Sequence, residues 1–249
     1  MRKLFLAASA MLPLLVGVPA KAADMPSRVP LYKGKPPAAY GWTGLYFGGH
    51  LGSGWTTEDW RFLGVGVTPA FNLGSGNASG LLGGAQIGID YQVDAMVFGL
   101  QADASWADLS GQACNAVQGS FLCNSRTDRF GTITGRVGIT VDRALVYFKG
   151  GAAWIHDARV LTIINLPEVT VSSNKWGWTA GAGVEYALTR NWSAKLEYDF
   201  MEFGPSRLDF DFRAAGLAVI PTDIKQRIQM VKLGWNYKFD WGAPVAAGY

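Results

Sequence analysis

Charge, histidine and cysteine are all scarce in this chain of 249 residues, and each scarcity removes a class of function. Charged residues make up 16%, where about 25% is usual in a soluble domain. The net charge of +3 is scattered, with no basic run longer than a few residues, so nucleic acid is set aside as a partner. His50 and His156 are the only histidines, and Cys114 and Cys123 the only cysteines. No metal or cofactor is expected from so few ligands. Beyond the N-terminal segment no apolar run approaches the roughly 20 residues of a membrane helix, which excludes a helical membrane protein.

That N-terminal segment has the layout of a secretory signal: Arg2 and Lys3, an apolar run from Leu4 to Val18, then Ala20-Lys21-Ala22 as a cleavage site. Residues 1–22 are therefore expected to be a signal peptide. Pro26, Pro30, Pro36 and Pro37 mark 23–40 as an extended periplasmic tether, since proline disfavours both sheet and core. Residues 41–239 are expected to form the folded domain, and 240–249 a short C-terminal periplasmic extension.

What fills 41–239 is alternation. In Arg227–Phe239 the residues Val231, Leu233, Trp235, Tyr237 and Phe239 share one face, and Lys232, Asn236 and Lys238 the other. A period of two means strand. Seven earlier segments repeat the pattern, beginning near Trp42, Gly80, Val97, Phe130, Leu145, Trp176 and Trp192, and every charge in them lies opposite the apolar set. Polar inside and apolar outside is the inverse of a soluble barrel, so the expected solvent is lipid and the fold an all-β, eight-stranded antiparallel transmembrane barrel. Long connections (56–79, 107–129, 156–175 and 201–223) alternate with short turns (93–96, 142–144 and 189–191), as outer-membrane barrels require. Trp42, Trp55, Trp106, Trp154, Trp176, Trp178, Trp192 and Tyr237 fall at strand ends, where an aromatic girdle belongs. Phe239 is the terminal strand aromatic.

The stretch Tyr40-Gly41-Trp42-Thr43-Gly44-Leu45-Tyr46-Phe47-Gly48-Gly49, the motif Gly135-Arg136-Val137-Gly138 before Asp142-Arg143, the run Gly181-Ala182-Gly183-Val184-Glu185-Tyr186 and the ending Tyr237-Lys238-Phe239 occur in order at strand positions. Together they resemble the small alphaproteobacterial outer-membrane porin family, the outer membrane immunogenic proteins. The resemblance covers nearly all of the chain after the signal and implies an OmpA-like transmembrane barrel at the cell surface. The chain departs from such barrels in carrying Asp240–Tyr249 beyond Phe239.

Chemistry is sparse. Cys114 and Cys123 share one connection, and in an oxidising compartment a disulfide is the expected outcome, with a metal pair as the alternative. Counting back from the Asp142-Arg143 turn places Arg136 opposite Lys149, and counting across 189–191 places Glu185 opposite Lys195. In a narrow lumen such charges must be mutually compensated, so an interior network of Asp103, Arg136, Lys149, Glu185, Lys195, Glu197 and Lys232 is expected. Catalysis would need a histidine beside a serine and a carboxylate; His156 with Asp157 is the sole candidate and no serine is marked, so no enzyme is expected. The leading expectation is a non-enzymatic envelope barrel displaying surface loops, with outer-membrane lipid and the barrel assembly machinery as partners. The alternatives are a receptor or adhesin binding haem, glycan or host protein through Trp60, Phe62, Phe71, Phe210 and Phe212, and a small diffusion pore.

Overall fold

The structure, a computed structural model, describes residues 40–115, 121–163, 169–213 and 219–239. The expected signal peptide, nearly all of the tether and the C-terminal extension lie outside the described residues. Eight strands, β1 (Gly44–Phe62), β2 (Phe71–Val93), β3 (Met96–Asn115), β4 (Phe121–Val141), β5 (Ala144–Ile163), β6 (Val169–Ala187), β7 (Trp192–Asp211) and β8 (Val219–Lys238), pair in chain order. β8 pairs back on β1, which closes the barrel. Two of the short turns are two-residue hairpins whose first residue, Asp94 or Asp142, has φ of 51° or 53°, a left-handed conformation that aspartate tolerates. We call the end carrying these turns the lower end.

The strands are much longer than the alternation suggested. The expected long connections at 56–79, 107–129, 156–175 and 201–223 are mostly strand, and the first shrinks to 63–70. On β8 the apolar outward residues begin at Val231; above them Gln229, Arg227, Lys225 and Asp223 face out instead. The twelve residues from Val219 to Met230 add about 30 Å of barrel, at about 3.3 Å per residue and a tilt near 40°.

Along this axis the polarity of the wall inverts. In the lower half, residues such as Leu51, Leu100, Phe148 and Leu233 stand out from the wall and charges turn inward. In the upper half, exposed ion pairs tie neighbouring strands on the outside: Arg227 to Asp59 at 3.0 Å, Lys225 to Glu202 at 2.6 Å, Arg126 to Asp108 at 3.3 Å. Trp60, Phe62, Leu73, Leu161, Leu208, Phe210, Phe212 and Ile224 meanwhile pack inside. The lower half is thus built for hydrocarbon and the upper half for water. The expectation of a polar interior holds throughout the membrane-facing charge layer of the lower half, whereas in the upper half apolar clusters enclose one further buried polar layer around Arg159.

Aromatic rings mark the boundary. Trp55, Trp106, Trp176 and Trp178 are exposed at the top of the apolar band, Trp192 is exposed at its lower edge, and Trp154 and Tyr237 are partly exposed. Trp42 is the exception and corrects the girdle assignment. It shares the parity of inward Tyr46, His50 and Gly52, and it lies 3% exposed among Val97, Leu145, Tyr147 and Ala187 as the plug of the lower mouth. Its backbone N–H donates to Gln92 Oε1 at 2.8 Å.

Candidate functional site

The lumen is the candidate site, because alternation delivers every inward side chain to one narrow axis. Above the Trp42 plug, Arg136 from β4 is held by Asp90, through Nε to Oδ1 at 2.8 Å and a second contact from Nη2, and by Glu185 at 3.1 Å. The rings of Tyr46 and Tyr147 flank its guanidinium, with centroids at 4.7 and 5.1 Å. Glu185 also accepts from Ser193 and from Asn236 at 2.7 Å.

One step higher, Glu197 receives Lys149, Lys195 and the Tyr147 hydroxyl, the last at 2.9 Å. Asp199 receives Lys149 at 3.0 Å and Lys232 at 2.6 Å, and Lys232 also lies 3.9 Å from Asp103. His50 sits beside this group, with Nδ1 2.8 Å from Gln86 Oε1 and Nε2 2.9 Å from Ser105 Oγ. Gln86 Nε2 donates onward to Asn236, so Oε1 is the acceptor and His50 carries its proton on Nδ1. Five carboxylates (Asp90, Asp103, Glu185, Glu197, Asp199) and four cations (Arg136, Lys149, Lys195, Lys232) thus pair across the barrel with one carboxylate in excess, all with side chains 3% exposed or less. Glycines clear the space they need: a Cβ on Gly183 would sit 2.7 Å from the Tyr147 ring, and one on Gly88 would strike Tyr46.

All seven expected network residues are brought together here. Arg136 does stand opposite Lys149, and Glu185 opposite Lys195. The contacts nevertheless run diagonally and across the lumen, since Glu185 turns to Arg136 and Lys195 to Glu197. Asp90 and Asp199 were not anticipated as members, although both lie on the polar face of their strands and parity alone would have admitted them.

Three more layers complete the seal. Leu82, Leu109, Phe130, Ile155, Met201, Phe203, Ile228 and Met230 form an apolar belt above the charges. Over it lies a second polar layer in which Arg159 bridges Glu58 at 3.2 Å, Asp157 at 2.9 Å and Gln226 at 2.7 Å. The Trp60–Phe210 cluster caps the top, its two named rings stacked at 6.0 Å.

Other expectations resolve differently. Strand alternation splits His156 from Asp157: Asp157 is fully buried in the lumen, whereas His156 faces out and meets Asn174 at 2.8 Å. They share no site. Trp60, Phe62, Phe210 and Phe212 are core residues of the cap, and of the five only Phe71, which packs on Phe62 at 5.1 Å, is exposed. At the rim, hydrogen bonds from the Arg213 side chain and backbone pull the Asp211 carboxyl down to about 2. Cys114 and Cys123 stand opposite each other in the β3–β4 ladder, though their side chains lie outside the described residues. A disulfide there is expected to contribute at most about 2–3 kcal/mol to a barrel already held by its ladders. Mass spectrometry of the unreduced protein should find the two linked, and two free thiols would remove the idea.

A closed antiparallel barrel, apolar outside and charged inside over one half of its length, defines an integral outer-membrane β-barrel protein. The family described as outer membrane protein beta-barrel domain matches residues 10–239. The chain belongs to that family. It is 32% identical over 171 residues to the 31 kDa outer-membrane immunogenic protein of Brucella melitensis, covering 65% of this chain and 68% of the relative. To the 25 kDa outer-membrane immunogenic protein of Brucella abortus it is 29% identical over 204 residues, 80% of each chain. Among solved structures, the outer membrane protease OmpT of Escherichia coli superposes with a TM-score of 0.49 at 11% identity, over 82% of this chain and 99% of that one.

Proposed function

We propose that the chain is a non-enzymatic, sealed barrel that serves the envelope structurally and holds a rigid stalk above the outer membrane, with both termini in the periplasm and the upper half outside the cell. The observation that carries this is the filled lumen: mutually paired buried charges at mid-membrane, between an apolar plug and an apolar belt. An ion entering would have to break buried pairs and then cross layers that exclude water. The upper half supports the display role, because Trp60, Phe62, Phe210 and Phe212 form its own core and its outer surface is laced with ion pairs. Liposomes containing the refolded protein are expected to swell in small sugars no faster than protein-free liposomes. Swelling at the rate given by a general porin would instead favour the diffusion pore.

A further inference from the structure

Among the described residues two ladders stop short of the upper end, that of β2 and β3 above Ser79–Ser110 and, over a longer stretch of both strands, that of β6 and β7. β6 and β7 share a ladder only from Trp178 opposite Glu202 down to Ala187 opposite Ser193. Above it β6 continues to Val169 paired only with β5, and β7 continues to Asp211 paired only with β8. Two strand margins therefore run beside each other with unshared backbone N–H and C=O groups. The margins differ in character. That of β7 carries the protections natural edges use: Gly204 and Pro205 in a bulge between Phe203 and Ser206, then Arg207, Asp209 and Asp211. That of β6 reads Val-Thr-Val-Ser-Ser-Asn from Val169 to Asn174, with β-branched residues, no charge and no proline. Val169 and Val171 are only partly buried against the cap. At the foot of this margin Lys175 turns to the luminal side, 6% exposed, and its Nζ has no hydrogen-bond partner among the described residues.

We propose that the β6 margin is a strand-addition site for an extended peptide of another protein, hydrogen-bonded along residues 169–174 and placing a carboxylate against Lys175. Main-chain bonds supply the affinity in such pairing, and the unpartnered ammonium selects an anionic end. A peptide is favoured over a second copy of the barrel because β7 stands beside the edge: one strand can enter from the upper end, whereas another barrel wall meets β7 first. The proposal rests on the sealed, outward-pointing reading only for where the partner comes from.

The test uses the refolded protein in nanodiscs and one probe, an acetylated Thr-Val-Thr-Val-Thr-Val peptide with a free carboxylate, beside its C-terminal amide and a backbone N-methylated form. The free-acid peptide should bind saturably, the amide at least about tenfold more weakly, and the N-methylated form not at all. Lys175→Met should bring the acid down to the amide. In the free protein, alternate amides of 169–174 should exchange rapidly and become protected when the peptide is added. Full protection without peptide, no binding of the acid, or binding indifferent to both N-methylation and Lys175→Met would overturn the proposal. So would a dimer that the peptide does not dissociate, which would assign the edge to a second copy. A conducting barrel that still binds the peptide in this way would sink the sealed reading alone.

Discussion

Replacing Glu197 by alanine is expected to destabilise the barrel by on the order of 3–5 kcal/mol, the cost of leaving a buried charge uncompensated. The residue sits at the centre of Lys149, Lys195 and Lys232, and its loss does not fall on them equally. Lys149 and Lys232 retain Asp199, whereas Lys195 is left with Gln101 Oε1 at 3.3 Å. Lys195 is therefore the stranded charge. It follows that Glu197→Ala with Lys195→Met should be more stable than Glu197→Ala alone, a coupling that unfolding in urea from lipid vesicles can measure as a double-mutant cycle. Equal losses in the single and double variants would show that Lys195 does not depend on Glu197.

Inversion of the wall makes the second large prediction. Leu233 faces out at the middle of the apolar band, 61% exposed, so Leu233→Arg should cost about 2–4 kcal/mol, the penalty for a charge on the lipid face near the midplane. Ser110 also faces out, on β3 above the Trp106 ring, and Ser110→Arg should cost less than about 1 kcal/mol because that surface meets water. The same folding assay in vesicles separates the two. Similar costs at both positions would place Ser110 in the bilayer and contradict the boundary drawn through the tryptophans.

That boundary also governs how much could be read from the chain. The membrane half was legible because one solvent faces the whole outer surface there, so parity and hydropathy agree residue by residue. The upper half was not, for two physical reasons. Its polarity is reversed, with Trp60 and Phe210 inside and Arg227 and Lys225 outside, so a search for apolar-out strands passes over it. Irregularities between Thr127 and Arg129 and between Phe203 and Ser206 also break the period of two near the transition. The run Leu208–Asp211 alternates again, with Leu208 and Phe210 inside, and closes β7. Membership of the charge network was legible from parity, but its pairing was not: side chains as long as arginine and lysine reach past their ladder neighbours, and Arg136 finds Asp90 two strands away. Trp42 was misplaced because its position at a strand end outweighed its even parity, which turns it inward.

Single-channel recording of the unmutated protein in a planar bilayer tests the sealed lumen most directly. A quiet baseline is expected, broken by rare, brief, small openings that become more frequent in Arg136→Ala, where Asp90 and Glu185 lose the cation that joins them. A steady, large conductance from the unmutated barrel would contradict it.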